Sequence, residues 1–315
     1  MNDYCDLETS MPRWTWCLLI FVLFASGCDL QRLTVDQTAD ILHSGSVALD
    51  RESDPQFARE ALPASLKTLE TFLVSSPDNR KLLELLARGY FSYSFGFLEG
   101  DLERAKIEYA EEATINSLNR RAVLHYLRSR EYGFRLLNKP ALRKAAEAND
   151  IEKLKAELKK LEKEDVPGLF WAGFGWASAI NLSQDNPDLV AGLGTVEVMM
   201  QRVEQLDENY FDGGIHLFFG VFYASRPEMY GGKPEEAKKH FDRAMEMFGT
   251  KNLMIPFLYA RFYAPQVQDT ELFVTLLHRV ATANMETEPD RRLNNEIAAE
   301  RARFWLEHAD ELIFE

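Results

Sequence analysis

From residue 36 onward apolar residues recur at helical spacing almost without interruption. Val, Ile and Thr nowhere alternate with polar residues for long enough to make a strand, so the predicted fold class is all-α. Breakers divide the pattern into helices of about 12 to 20 residues. They fall at Pro63, Ser76-Pro77-Asp78, Glu99-Gly100-Asp101, Asn138-Lys139-Pro140, Asp165 to Gly168, Asn186-Pro187-Asp188, Asp212-Gly213-Gly214, Gly231 to Pro234 and Glu288-Pro289-Asp290. Several put Pro or an acid where a helix should begin. The charged stretch Ala141 to Lys163 has no aromatic residue and reads as an exposed helical pair or protrusion.

The helical pattern also repeats. Gly232 to Phe241, with Ala237 inside it, aligns without a gap on Gly100 to Tyr109, with Ala105 inside it. Continuing to Ala244 gives Ala-x3-Phe-x2-Ala, the second-helix signature of a tetratricopeptide repeat. Trp171-x2-Phe174-Gly175, Gly220-x2-Tyr223 and Leu86-Ala87-x2-Tyr90 fit the first-helix pattern. The repeats are degenerate, because the Tyr90 to Ala105 and Tyr223 to Ala237 separations exceed the regular spacing by about five or six residues. In such a repeat small residues let paired helices approach and a large ring fills the groove. The expected packing residues are therefore Ala105, Tyr109, Gly175, Gly220, Gly231, Gly232, Ala237, Phe241 and Ala244. Stacked pairs curve into a solenoid with a binding surface.

The N-terminal end has a different pattern. A short apolar run, Leu18 to Phe24, follows Trp14 and Trp16 and closes on Ala25-Ser26-Gly27-Cys28. It is about half of what a membrane-spanning helix needs, and small residues before a cysteine form a lipobox. Residues 1–27 are expected to be a removed signal peptide. Its preferred start is Met11, because that places Arg13 directly ahead of the run and drops the acids Asp3, Asp6 and Glu8. Cys28 is then the lipidated residue, 28–36 a tether and 37–315 the helical domain. Asp29 resembles an inner-membrane retention signal that not all bacteria follow, so which membrane holds the lipid stays open.

Composition narrows the function. The net charge is −14, and losing the leader removes one Arg and three acids to leave −12. A surface of that sign excludes nucleic acid as a natural partner. Only Cys28 would survive processing, so neither a disulfide nor a cysteine metal site is expected. The six histidines are scattered, with no pair at helical ligand spacing, and no metal site is predicted. No nucleophile elbow, phosphate loop or dinucleotide fingerprint occurs, and no cofactor is expected. Aromatic residues carry the more specific expectation, because they occupy more than one face of their helices. Tyr90, Tyr93, Phe97, Phe170, Trp171, Phe174, Trp176, Phe219, Phe222 and Tyr223 are candidates to line a ligand pore. Arg226 and Tyr230, flanking Pro227, could supply polar contacts there or could cap a helix end.

With lipobox and repeats in place, the chain resembles the T component of tripartite ATP-independent periplasmic (TRAP) transporters, the TatT lipoproteins. The resemblance rests on Leu169 to Trp176, Leu206 to Gly213, Pro227 through Gly231-Gly232 to Ala244, and Tyr259 to Phe273. It implies a periplasm-facing, lipid-anchored homotrimer of cryptic tetratricopeptide repeats. Each protomer would have an aromatic pore and dock a TRAP solute-binding protein. The implied role is accessory and non-catalytic: to hold that protein near the membrane and pass it a hydrophobic or amphipathic organic ligand. Two other classes share these features, a repeat scaffold lipoprotein for outer-membrane protein or pilus assembly and an envelope enzyme using a carboxylate pair.

Overall fold

A computed structural model describes residues 27–313, with side chains from residue 30 and without that of Tyr230. Residues 1–26 of the expected leader lie outside the described residues, as does the Cys28 side chain. The described residues form helices and no strand. No described helix is long and apolar enough to cross a membrane.

The chain begins with α1 (Gly27–Gly45), α2 (Pro55–Ser75) and α3 (Arg80–Tyr93). The Asp54 carboxylate accepts from the backbone of Gln56 and Phe57 at 2.9 and 3.1 Å, which starts α2 with Pro55 at its first turn. Pro63 sits inside α2 without ending it, and the helix buries Ala58, Leu62 and Leu66 at four-residue spacing. The segment read as a tether is already helical. Val35 is buried, and the Asp36 carboxylate accepts from Ser76 and Asn79 at 2.7 and 2.6 Å.

The expected break at Glu99-Gly100-Asp101 is not a break. α3 runs through a π turn, Ser94–Leu98, straight into α4 (Glu99–Ile107). The repeat alignment therefore fails here: Leu86 to Tyr90 and Gly100 to Ala105 lie on one interrupted rod, not on two arms of a hairpin. Tyr109 is corrected with it. It follows the end of α4 in a left-handed conformation (φ 53°) and is 80% exposed, whereas its expected counterpart Phe241 is fully buried.

α5 (Glu112–Leu137) ends on left-handed Asn138, and Pro140 opens α6 (Pro140–Glu147), followed by α7 (Ile151–Leu158). The α6–α7 pair is docked, not protruding. It buries Leu142, Leu154 and Leu158, and Thr195 bonds Asn149 at 2.8 Å. α8 (Val166–Asn181) lies antiparallel to α5 at backbone contact. A Cβ on Gly133 would stand 2.4 Å from the Ala172 nitrogen, and one on Gly175 would stand 2.7 Å from the Tyr126 carbonyl.

α9 (Leu193–Leu206) leads to α10 (Tyr210–Ala224), whose start is kinked by left-handed Phe211, Asp212 and Gly213, and to α11 (Pro234–Phe248), which forms with α10 an antiparallel hairpin in which Gly220 receives the Phe241 ring. Ala237 and Ala244 are fully buried beside it and Ala105 is buried on α4. Gly231 takes φ 89° in the hairpin turn, and Gly232 lies so close to the Arg226 carbonyl that no Cβ fits. α12 (Met254–Leu258) enters a second π turn, Tyr259–Tyr263, before α13 (Thr270–Ala281) and α14 (Arg292–Glu307).

α14 returns to the first helices. Arg301 of α14 pairs with Glu103 of α4 at 2.8 Å and donates to the Phe95 carbonyl at 3.2 Å. The end of the chain thus packs against its first third.

Candidate functional site

Near this junction, with Phe95 and Glu99 in its wall, lies a cavity of about 400 Å³. α8 contributes Phe174, Ala177 and Ser178, and α10 contributes Phe218, Val221 and Phe222. The first π turn supplies Phe95 and the second supplies Phe262. Each π turn inserts one residue into a helix and redirects the side chains that follow, which is why such turns recur at functional positions. Asn181, Ser225 and Arg226 are polar wall residues, and Glu99 closes the first π turn.

Of the residues expected to line a pore, the cavity wall contains Phe174, Phe222 and Arg226. The others, apart from Tyr230, are packed elsewhere. Phe170 and Trp171 are fully buried, and the Trp171 indole donates to the Tyr210 hydroxyl at 3.2 Å. Trp176 lies under Arg130, 3.8 Å from guanidinium to ring, and against Gly192. Tyr90 stacks on His125 and Tyr132, with Tyr93 edge-on to His125 and Phe97 beside Tyr93. Phe219 and Tyr223 occupy the other face of α10 and stack towards each other and His240. The Tyr230 side chain lies outside the described residues. An aromatic residue on every face of α10 therefore serves two surfaces: Phe218 and Phe222 face the cavity, and Phe219 and Tyr223 face α11.

Electrostatics give the cavity two polar features. The Arg226 guanidinium lies 4.1 Å from the Phe222 ring centre and donates to the Phe222 carbonyl at 2.7 and 3.1 Å. It makes no ion pair among the described residues. A half-buried cation without a carboxylate partner is suited to an anionic group. Glu99 is a partly buried residue of the cavity wall. Burial pushes its pKa up to about 7, against the attraction of Arg301 and the hydrogen bond donated by Tyr126. Behind it, Glu103 is held below the usual carboxylate range. Arg301 and Arg261 overcome the cost of its burial, and the Trp305 indole donates to it at 3.4 Å.

Sequence reasoning missed Glu99 and Phe262 as wall residues, whereas Phe95 and Phe218 belong to the aromatic runs it singled out. The only signal for the two missed residues was their flanking aromatic runs, since nothing in helical periodicity announces a π turn. It also missed a convergence of Glu204, His216 and His240, which lie on three different helices.

The sequence model of a family described as the TRAP transporter T-component matches residues 51–313. An uncharacterised protein of Treponema pallidum (strain Nichols) is 23% identical over 325 aligned residues, which cover 96% of this chain and 99% of that protein.

Proposed function

The chain belongs to the TRAP transporter T-component family, an accessory component of these transporters, and from that premise we propose that it is a non-catalytic ligand carrier that docks the solute-binding protein. The cavity carries the reading. Phenylalanines from four separate segments surround it, Arg226 offers a positive charge with no ion pair among the described residues, and its volume suits a small organic molecule. The preferred ligand is an organic anion with an apolar body, its carboxylate on Arg226 and its hydrocarbon or aryl part among the Phe rings.

In this reading Cys28 carries the lipid, the leader is removed, and the helical body faces the periplasm as a homotrimer whose protomers each present a pore to the binding protein. The α10–α11 hairpin, with Gly220 under Phe241, supports tetratricopeptide-type pairing as its building principle.

Titration with a fluorescent long-chain carboxylate tests the cavity. Binding is expected at one site per chain, to be lost in Ala177→Trp, which fills the cavity, and weakened about tenfold in Arg226→Met by removal of one charge-assisted contact. Equal binding by the wild type and Ala177→Trp would place the ligand elsewhere and end this reading.

A further inference from the structure

On the far side of α10 from the cavity, three side chains converge that the sequence scatters over 37 positions. The Nδ1 atoms of His216 and His240 lie 3.1 Å apart, and Glu204 Oε1 lies 3.7 Å from each. A tetrahedral zinc ion with bonds of 2.0–2.1 Å separates its nitrogen ligands by about 3.3 Å, so this triangle already has the dimensions of one face of such a site. We propose that Glu204, His216 and His240 bind a divalent transition-metal ion of the zinc class, leaving a fourth position open to water or a partner's side chain.

The surrounding residues are arranged as a metal ligand's supports usually are. His216 Nε2 faces Glu208 Oε2 at 3.3 Å, which places the ring proton on Nε2 and turns the Nδ1 lone pair towards His240. Arg243 holds the other oxygen of Glu208 at 2.9 Å. His240 is fixed by stacking on Phe219, with ring centres 4.9 Å apart. His216 is almost wholly buried, whereas the Glu204 side chain is 35% exposed and gives an ion a way in from solvent. Two nitrogens and one carboxylate favour zinc and its neighbours over calcium or magnesium, which prefer oxygen ligands. The ion would join α9, α10 and α11 at one point. In the metal-free chain the same geometry serves as a hydrogen bond from His240 Nδ1 to the His216 lone pair.

The full chain, freed of metal with a chelator, is titrated with Zn²⁺ against a competing indicator, and Co²⁺ is used to read the ligand field. One Zn²⁺ per chain and a tetrahedral Co²⁺ spectrum are expected. Both should be lost in His240→Ala and in Glu204→Gln, which alter partly exposed groups and spare the buried His216. Glu208→Gln should retain the site with affinity lowered about 10- to 100-fold, the usual effect of removing a ligand's hydrogen-bond partner. Failure of the wild-type chain to bind Zn²⁺ would overturn the proposal, as would stoichiometric binding that survives both His240→Ala and Glu204→Gln. Either result would leave a His–His hydrogen bond as the whole content of the cluster.

Discussion

Glu99 is the residue at which the chemistry of the cavity and the stability of the fold meet. Its folded pKa of about 7 lies above the ordinary 4.5, so the folded state prefers the protonated acid. That preference stabilises the protein fully below pH 4.5, is lost as pH rises to about 7, and is absent above it. Glu99→Gln keeps a carbonyl for the Tyr126 hydroxyl and removes the buried charge. It should leave stability unchanged at pH 4 and raise it by ~1–3 kcal/mol at pH 8, since each tenfold change in proton affinity on folding is worth about 1.4 kcal/mol. Denaturant midpoints measured across pH check this, and parallel profiles for the two proteins would contradict it. The residue was visible in the sequence only as part of a supposed helix break. One carboxylate among 50 acidic residues has no distinguishing mark until burial and partners are known. Phe174, Phe222 and Arg226 could be picked out because their runs are apolar on more faces than a surface helix uses. Phe170 and Trp171 met the same criterion and are core, since an all-round apolar helix is satisfied equally by a cavity or by neighbours on every side.

At the scale of elements, glycines separate two kinds of helix contact. Gly133 faces α8 with no room for a Cβ, whereas a Cβ on Gly100 would meet the Arg301 side chain at an ordinary 3.9 Å. Gly100→Ala should therefore stabilise α4 by about 0.5–1 kcal/mol through helix propensity. Gly133→Ala should destabilise by about 1–3 kcal/mol through overpacking, despite the same gain in propensity. Thermal unfolding of the two variants checks the pair, and changes of the same sign would refute this account of the α5–α8 contact. Periodicity revealed the helices and most of their ends, because Asn138, Pro140, Gly231 and Pro234 act through local backbone preference. It could not reveal that α3 continues through a π turn. Gly100 looks like a stop, and what overrides it is tertiary: Leu98 and Leu102 are buried, and Arg301 bonds the Phe95 carbonyl within the π turn.

For the whole molecule the decisive feature is closure, with α14 packed on α4 through Arg301 and Glu103. Arg301 is buried, and its loss would leave Glu103 in the interior with Arg261 as its remaining cation. Arg301→Met should cost about 3 kcal/mol, the lower end for breaking a buried pair. Arg51→Ala, at the exposed pair with Asp290, should cost less than about 1 kcal/mol. Chemical denaturation distinguishes them, and equal losses would mean that closure does not depend on the buried pair. This long-range return was not legible from repeats, whose signatures report neighbouring helices and say nothing of how far the stack curves. Arg301 also bonds the carbonyl of Phe95, a residue of the cavity wall, and the carrier role proposed for that cavity requires a docking partner. Native mass spectrometry of residues 30–315, alone and mixed with the TRAP solute-binding protein of the same organism, tests that directly. An assembly that takes up the binding protein is the predicted result, whereas a chain that stays unbound in an excess of that protein would contradict the account.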